Sequence, residues 1–190
     1  MNATGWIIVA VVVVAVLIIA GALWSRRRRS EHLKDRFGPE YDRAVDAKGG
    51  RSKAEADLAE REKRVEKLDI RPLDAEERRN FLDRWAEVQG RFVDDPARAV
   101  AFADALLADV MKARGYPVSD FEQRAGDISV DHPKVVEHYR TAHDIAVRHE
   151  RGDASTEDLR QAMIHYRALF DDLVGVQAPA DHEREREPTH

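Results

Sequence analysis

Residues 6–24 read WIIVAVVVVAVLIIAGALW, and no charged residue occurs between Met1 and Trp24. No other feature constrains the chain as tightly. A helix over this run covers roughly 27 Å at about 1.5 Å per residue. That approaches the roughly 30 Å hydrocarbon core of a bilayer. In lipid a lone segment can satisfy its backbone only as a helix, despite its Val and Ile. Trp6 and Trp24 suit the two interfaces, and the basic cluster Arg26, Arg27, Arg28, Arg29 follows directly. Such a cluster stays inside. The expectation is a single-pass membrane protein with its N-terminus outside and residues 25–190 cytoplasmic, which in a bacterium is the inner face of the plasma membrane.

A cleaved signal peptide is the rival reading, because Ala20-Gly21-Ala22 resembles a cleavage site. Against it, no basic residue precedes the apolar run, and the run is longer than a usual signal core. Four arginines after the site also oppose export. No GxxxG spacing marks the span as a dimerisation helix.

Four zones follow: a transmembrane anchor over 1–24, a basic juxtamembrane helical stalk over 25–71, an all-helical domain over 72–175, and a disordered tail over 176–190. The stalk holds 15 Lys and Arg against 11 Asp and Glu, a net +4, whereas the net charge of the chain is −5. Residues 72–190 hold 16 against 25, a net −9. Anionic headgroups attract the first part and repel the second. An acidic distal part argues against nucleic acid as a partner. There is no cysteine, so disulfide frameworks and thiolate zinc sites are excluded.

In the stalk, Leu33, Phe37, Tyr41 and Val45 recur every four residues. Gly38-Pro39 interrupts them, with Pro39 placed to open a helix that Gly49-Gly50 ends. Ser52 and Glu55 are spaced as a capping box for a charged helix from Lys53 to about Leu68. That helix is too poor in large apolar residues for a coiled coil, so a solvated stalk is expected, with self-association as the alternative.

The domain shows helical periodicity throughout and no period of two. Asp74 with Glu77 caps a helix that buries Phe81, Trp85, Val88 and Phe92. Asp95-Pro96 opens a second helix, burying Val100, Ala103, Leu107, Val110 and Met111, which Gly115 ends. Ser119 with Glu122 starts a short helical turn around Phe121. Asp131 and Pro133 open a third long helix with Val135, Val136, Tyr139, Ala142 and Ala146 inward. Ser155 with Asp158 opens a fourth with Leu159, Met163, Tyr166, Phe170 and Leu173 inward, closed by Gly175. The fold class expected is all-α: an N-terminal transmembrane helix, a charged helical connector and an antiparallel bundle of about four helices.

Motifs for chemistry are absent. There is no Gly-rich phosphate loop and no GxSxG elbow. His138 and His143 lie five residues apart, and His138 and His149 eleven apart. Neither spacing makes a helical chelate, which needs i,i+3 or i,i+4. His143 reads as a hydrogen-bonded core residue, and Asp94-Asp95 as capping residues. No cofactor, metal or catalytic residue is expected. The stretch from Arg114 to Pro133 is long for a bundle connection. It reads as a loop covering one end of the bundle through Tyr116, Val118, Phe121 and Ile128. As a candidate interaction loop it offers Arg114, Tyr116, Asp120, Asp131 and His132.

The strings RFGPEYDRAV, FVDDP, RGYPVSDFEQRAGDISVDHP and TEDLRQAMIHYRALFDDL resemble segments of a family of small bacterial proteins of unknown function, described as single-pass membrane or secreted proteins. The resemblance implies a bacterial source and an N-terminal anchor, and carries no activity, cofactor or catalytic residue. The expected function is a membrane-anchored scaffold or protein-interaction module at the inner membrane face. Its partners are the bilayer, anionic headgroups through Arg26 to Arg29, an unidentified protein and, through self-association, a second copy. The alternative is an enzyme or ligand-binding domain whose site is assembled from distant residues such as His132, Asp131 and Tyr116.

Overall fold

The computed structural model describes residues 3–117 and 119–175; the side chains of residues 3–12 and of Ala15 are not described. The expected tail, the covering role of Val118 and part of the apolar run therefore lie outside the described residues. Among the described residues there are eight helices and no strand, as the periodicity requires. None of those helices, taken over the described residues, is long and apolar enough to cross a membrane. The chain divides into two compact units between Glu60 and Arg61.

In the first unit, α1 runs from Ala3 to Phe37 and α2 from Pro39 to Lys48, and α3 begins at Arg51 and extends to Val65. Gly38 has φ of 50° and Pro39 follows as the first residue of α2, so the chain turns where the sequence places a breaker. Leu33, Phe37, Tyr41, Ala44, Ala54 and Leu58 are buried. The solvated stalk is corrected at this point: α3 buries Ala54, Leu58, Ala59 and Val65. Its small alanines were too inconspicuous to mark that face.

The Ser52–Glu55 capping box does not form. The helix begins one residue before Ser52, and the Glu55 carboxylate accepts from Ser30 at 2.6 Å, Tyr41 at 2.8 Å and Arg51 at 2.9 Å. Burial pushes this carboxyl up, but the bonds from Ser30, Tyr41 and Arg51 together outweigh it and hold it below the ordinary carboxylate range. One residue thus ties α1, α2 and α3 together. Ser30 and Tyr41 are remote in sequence, so local spacing could not announce them.

The second unit contains α4 (Ala75–Arg91), α5 (Pro96–Ala113), α6 (Phe121–Asp131), α7 (Val136–Glu150) and α8 (Thr156–Val174). Asp74 and Glu77 form the expected capping box, as do Ser155 and Asp158, and Asp95 caps α5. The helices pack as a bundle in which α8 lies against α7 and α5, and α4 against α5. Its core holds Trp85 stacked on Phe170 with centroids 4.6 Å apart, and Tyr139 tilted on Tyr166 at 6.1 Å. Gly115 has φ of 100°, and a Cβ there would sit 2.3 Å from the Asp69 carbonyl oxygen. Only glycine allows that close approach.

The region from 114 to 133 differs from expectation. It is not mainly a loop, since α6 occupies most of it, capped by Asp120 rather than started at Ser119. Asp131 ends α6 instead of opening the next helix, and α7 starts at Val136 without a side-chain cap. Ala125, Ile128 and Val130 are buried, but their short apolar pattern was diluted by Gly126 and Asp127.

Candidate functional site

The five candidate residues between 114 and 133 separate into a cluster and a cap. Asp120 accepts from the backbone N–H of Gln123 at 2.9 Å and serves α6 as its N-cap. The other four meet at the junction of α5, α6 and α8. Arg114, at the end of α5, donates from Nη1 to His132 Nε2 at 3.3 Å and to the Leu173 carbonyl at 3.2 Å. Its Nε donates to the Arg71 carbonyl at 3.3 Å. Tyr116 donates its hydroxyl to Asp131 at 3.1 Å. His132 Nδ1 lies against the Asp172 carboxylate.

These bonds fix the imidazole. An arginine can only donate, so Nε2 accepts and Nδ1 carries the proton toward Asp172. The arrangement superficially resembles a carboxylate–histidine relay. The position a nucleophile would occupy is taken by a guanidinium, so the histidine has no hydroxyl or thiol to activate. The hydrogen bond from His132 holds the Asp172 carboxyl below its ordinary range, against the opposing effect of burial. Burial pushes the Tyr116 phenol far above its usual range, and the Asp131 charge adds to this. The set is a hydrogen-bonded cluster whose donors and acceptors are paired with one another.

Sequence reasoning missed Asp172 and Arg71, which reach the cluster from distant helices and junctions. It also missed a second polar set. A cavity of about 210 Å³ lies among α5, α7 and α8, with Asp104, His143, His149, Glu150 and Tyr166 in its lining. Asp104 Oδ1, Arg124 Nε and the hydroxyls of Tyr139 and Tyr166 are buried, and no hydrogen bond of ordinary geometry reaches them among the described residues. Burial, then the Asp104 charge, pushes both phenols far up. His143 lies at this cavity with its ring stacked on Phe121, centroids 3.5 Å apart. It is half-buried.

His138 on α7 and His165 on α8 pair through their Nδ1 atoms at 2.9 Å. The pair is a cross-helix contact that spacing along one helix could not reveal. Among the described residues no group of three or more His, Asp or Glu could hold a metal ion. Of the basic cluster, Arg28 lies over the Trp24 ring at 3.8 Å from its centroid. Comparison with known protein families, with curated proteins and with solved structures finds no match for this chain.

Proposed function

We propose that the chain is a membrane-tethered helical interaction module, anchored through residues 6–24 with Arg26 to Arg29 at the anionic headgroups on the cytoplasmic side of a bacterial plasma membrane. In this reading the helices of the second unit receive a protein partner at the Arg114–His132 end. The observation that carries the tether is the exposure of α1. Val13, Val14, Val16, Leu17, Ile18, Ile19, Leu23 and Trp24 are each between 52% and 66% exposed. They point in all directions around the helix, as consecutive helical positions must. A contiguous apolar surface of this kind marks a membrane or protein contact, and a helix apolar all round suits lipid.

The test combines fractionation, capture and topology. The full chain stays with membranes through alkaline extraction, and crosslinking from Arg114 and His132 in intact cells yields one discrete heterologous adduct. A reporter after His190 is active inside the cell. Release by alkali overturns the tether, an externally active reporter overturns the orientation, and recovery of the protein alone overturns the module.

A ligand-binding reading has one specific support, the buried polar atoms around the cavity at Asp104 and Tyr166. Waters bridging them would serve equally well, so this reading stands second.

A further inference from the structure

A cleft of about 470 Å³ lies between α1 and α3 of the first unit, lined by Arg26, Arg29, Arg51, Ser52, Glu55 and Ala56. Arg26 and Arg29 are three residues apart on one helix, and positions so spaced share a face. No acidic side chain among the described residues pairs with either. Arg51 comes from the start of α3, with its Nε and Nη2 engaged by Glu55, Tyr41 and Ser30. Glu55 is the one carboxylate of the lining; its Oε1 accepts from Ser30, Tyr41 and Arg51, and its charge is offset by Arg51. The cleft therefore presents two uncompensated guanidinium groups, a third on its far wall, and the Ser52 hydroxyl.

We infer that this cleft binds a phosphate monoester, held by Arg26 and Arg29 with Arg51 and Ser52 opposite. A monoester carries about −1.5 to −2 at neutral pH, which matches the two uncompensated cations. Guanidinium forks fit phosphate oxygens in pairs, which a lysine ammonium cannot do. The volume suits a phosphate with a small alcohol attached. Arg26 stands two residues beyond Trp24 at the end of the apolar run, the depth at which headgroups lie. The assignment of a lipid source rests on the tethered reading; the phosphate chemistry does not. The phosphate can come from a lipid of the phosphatidic acid type or from a soluble monoester.

The full chain in zwitterionic micelles, titrated with short-chain phosphatidic acid, short-chain phosphatidylglycerol and glycerol 3-phosphate, tests this. Phosphatidic acid is expected to bind at least about tenfold more tightly than the diester, since only the monoester fills both forks. The charge-conserving double variant Arg26→Lys with Arg29→Lys loses about tenfold, whereas Arg27→Lys with Arg28→Lys keeps the affinity. Binding of glycerol 3-phosphate with competition against the lipid assigns a soluble source; no binding of it assigns the lipid. Equal affinity for monoester and diester, or equal loss in the two double variants, overturns the cleft in favour of general charge attraction. Alkaline extraction of the same variants separates the two ideas. A chain released from membranes that still discriminates monoester from diester overturns the tether alone, and an inserted chain that does not discriminate overturns the cleft alone.

Discussion

Asp127 is 1% exposed and takes its carboxylate into the second unit beside Ser129 and Gly126. Arg64, near the end of α3, donates to it from Nε at 2.8 Å, and its Nη2 lies at the same distance. Arg61 reaches Ser129 at 3.4 Å, and its side chain fills the space above Gly126. Asp127 is buried while the Arg64 side chain is 40% exposed, so removing Arg64 strands the buried carboxylate charge. Arg64→Met should therefore destabilise the protein by about 2 kcal/mol in urea denaturation, less than for a fully buried pair because solvent reaches the guanidinium side. Arg64→Met with Asp127→Asn should recover most of that loss. A cost that stays the same in the double variant would mean Arg64 acts through packing of its stem. At this scale the sequence was legible wherever a residue serves its own neighbours, as Asp74, Asp95 and Ser155 do. It misled where a polar side chain is drawn away from a local role: Glu55 leaves its local cap for Ser30 and Tyr41, and Asp131 ends α6 instead of opening the next helix. Arg114 and His132 were singled out for their unusual segment, and their bonding to one another came only with the fold.

The elements themselves were legible in proportion to the strength of their patterns. Long helices with a wide apolar stripe, α4, α5 and α8, bury the positions their spacing marked. The exception within them is Phe92, which lies at the C-cap of α4 and is only partly buried. α6 was legible only as a short helical turn around Phe121, because Gly126, Asp127 and Ser129 interrupt its stripe beyond it. The α7–α8 contact adds a pH response. His165 and His138 face each other with ring centroids 5.1 Å apart. Burial, then the His138 charge, lowers the His165 pKa below the ordinary imidazole value of 6.5. A histidine whose folded pKa is depressed binds protons more readily in the unfolded chain, so folding is opposed as pH falls. The associated stability is whole above pH about 6.5 and declines below it toward the lowered folded value. His165→Gln should flatten the stability profile over that interval while leaving stability above pH 7 nearly unchanged. Thermal melts from pH 7.5 to pH 5 read this directly. An unchanged slope in the variant would assign the acid sensitivity to other groups.

For the whole molecule, the all-helical class followed from periodicity and from the absence of alternation, and the structure agrees. The division between Glu60 and Arg61 falls inside α3, where composition gave no signal, because charged residues run on without a break. In the tethered reading proposed above, orientation in the membrane is a property that neither packing nor capping decides. It depends on which flank of the apolar run holds the cations, and here one flank holds Arg26 to Arg29 while the other, Met1 to Gly5, holds no charged side chain. The basic bias is counted within about 15–20 residues of the span ends, so Lys34, Arg36 and Arg43 add to the same flank. Moving the bias should move the chain. Replacing Arg26 to Arg29 with asparagine, together with Asn2→Lys and Thr4→Lys, reduces the contrast between the flanks. A reporter after His190 should then divide between the two sides of the membrane instead of reading one side. Asn2→Lys with Thr4→Lys alone should leave it on the cytoplasmic side, because four arginines still outweigh two lysines. If removing the arginines left the reporter wholly inside, the orientation would belong to the folding of the segment that follows and not to the charges beside Trp24.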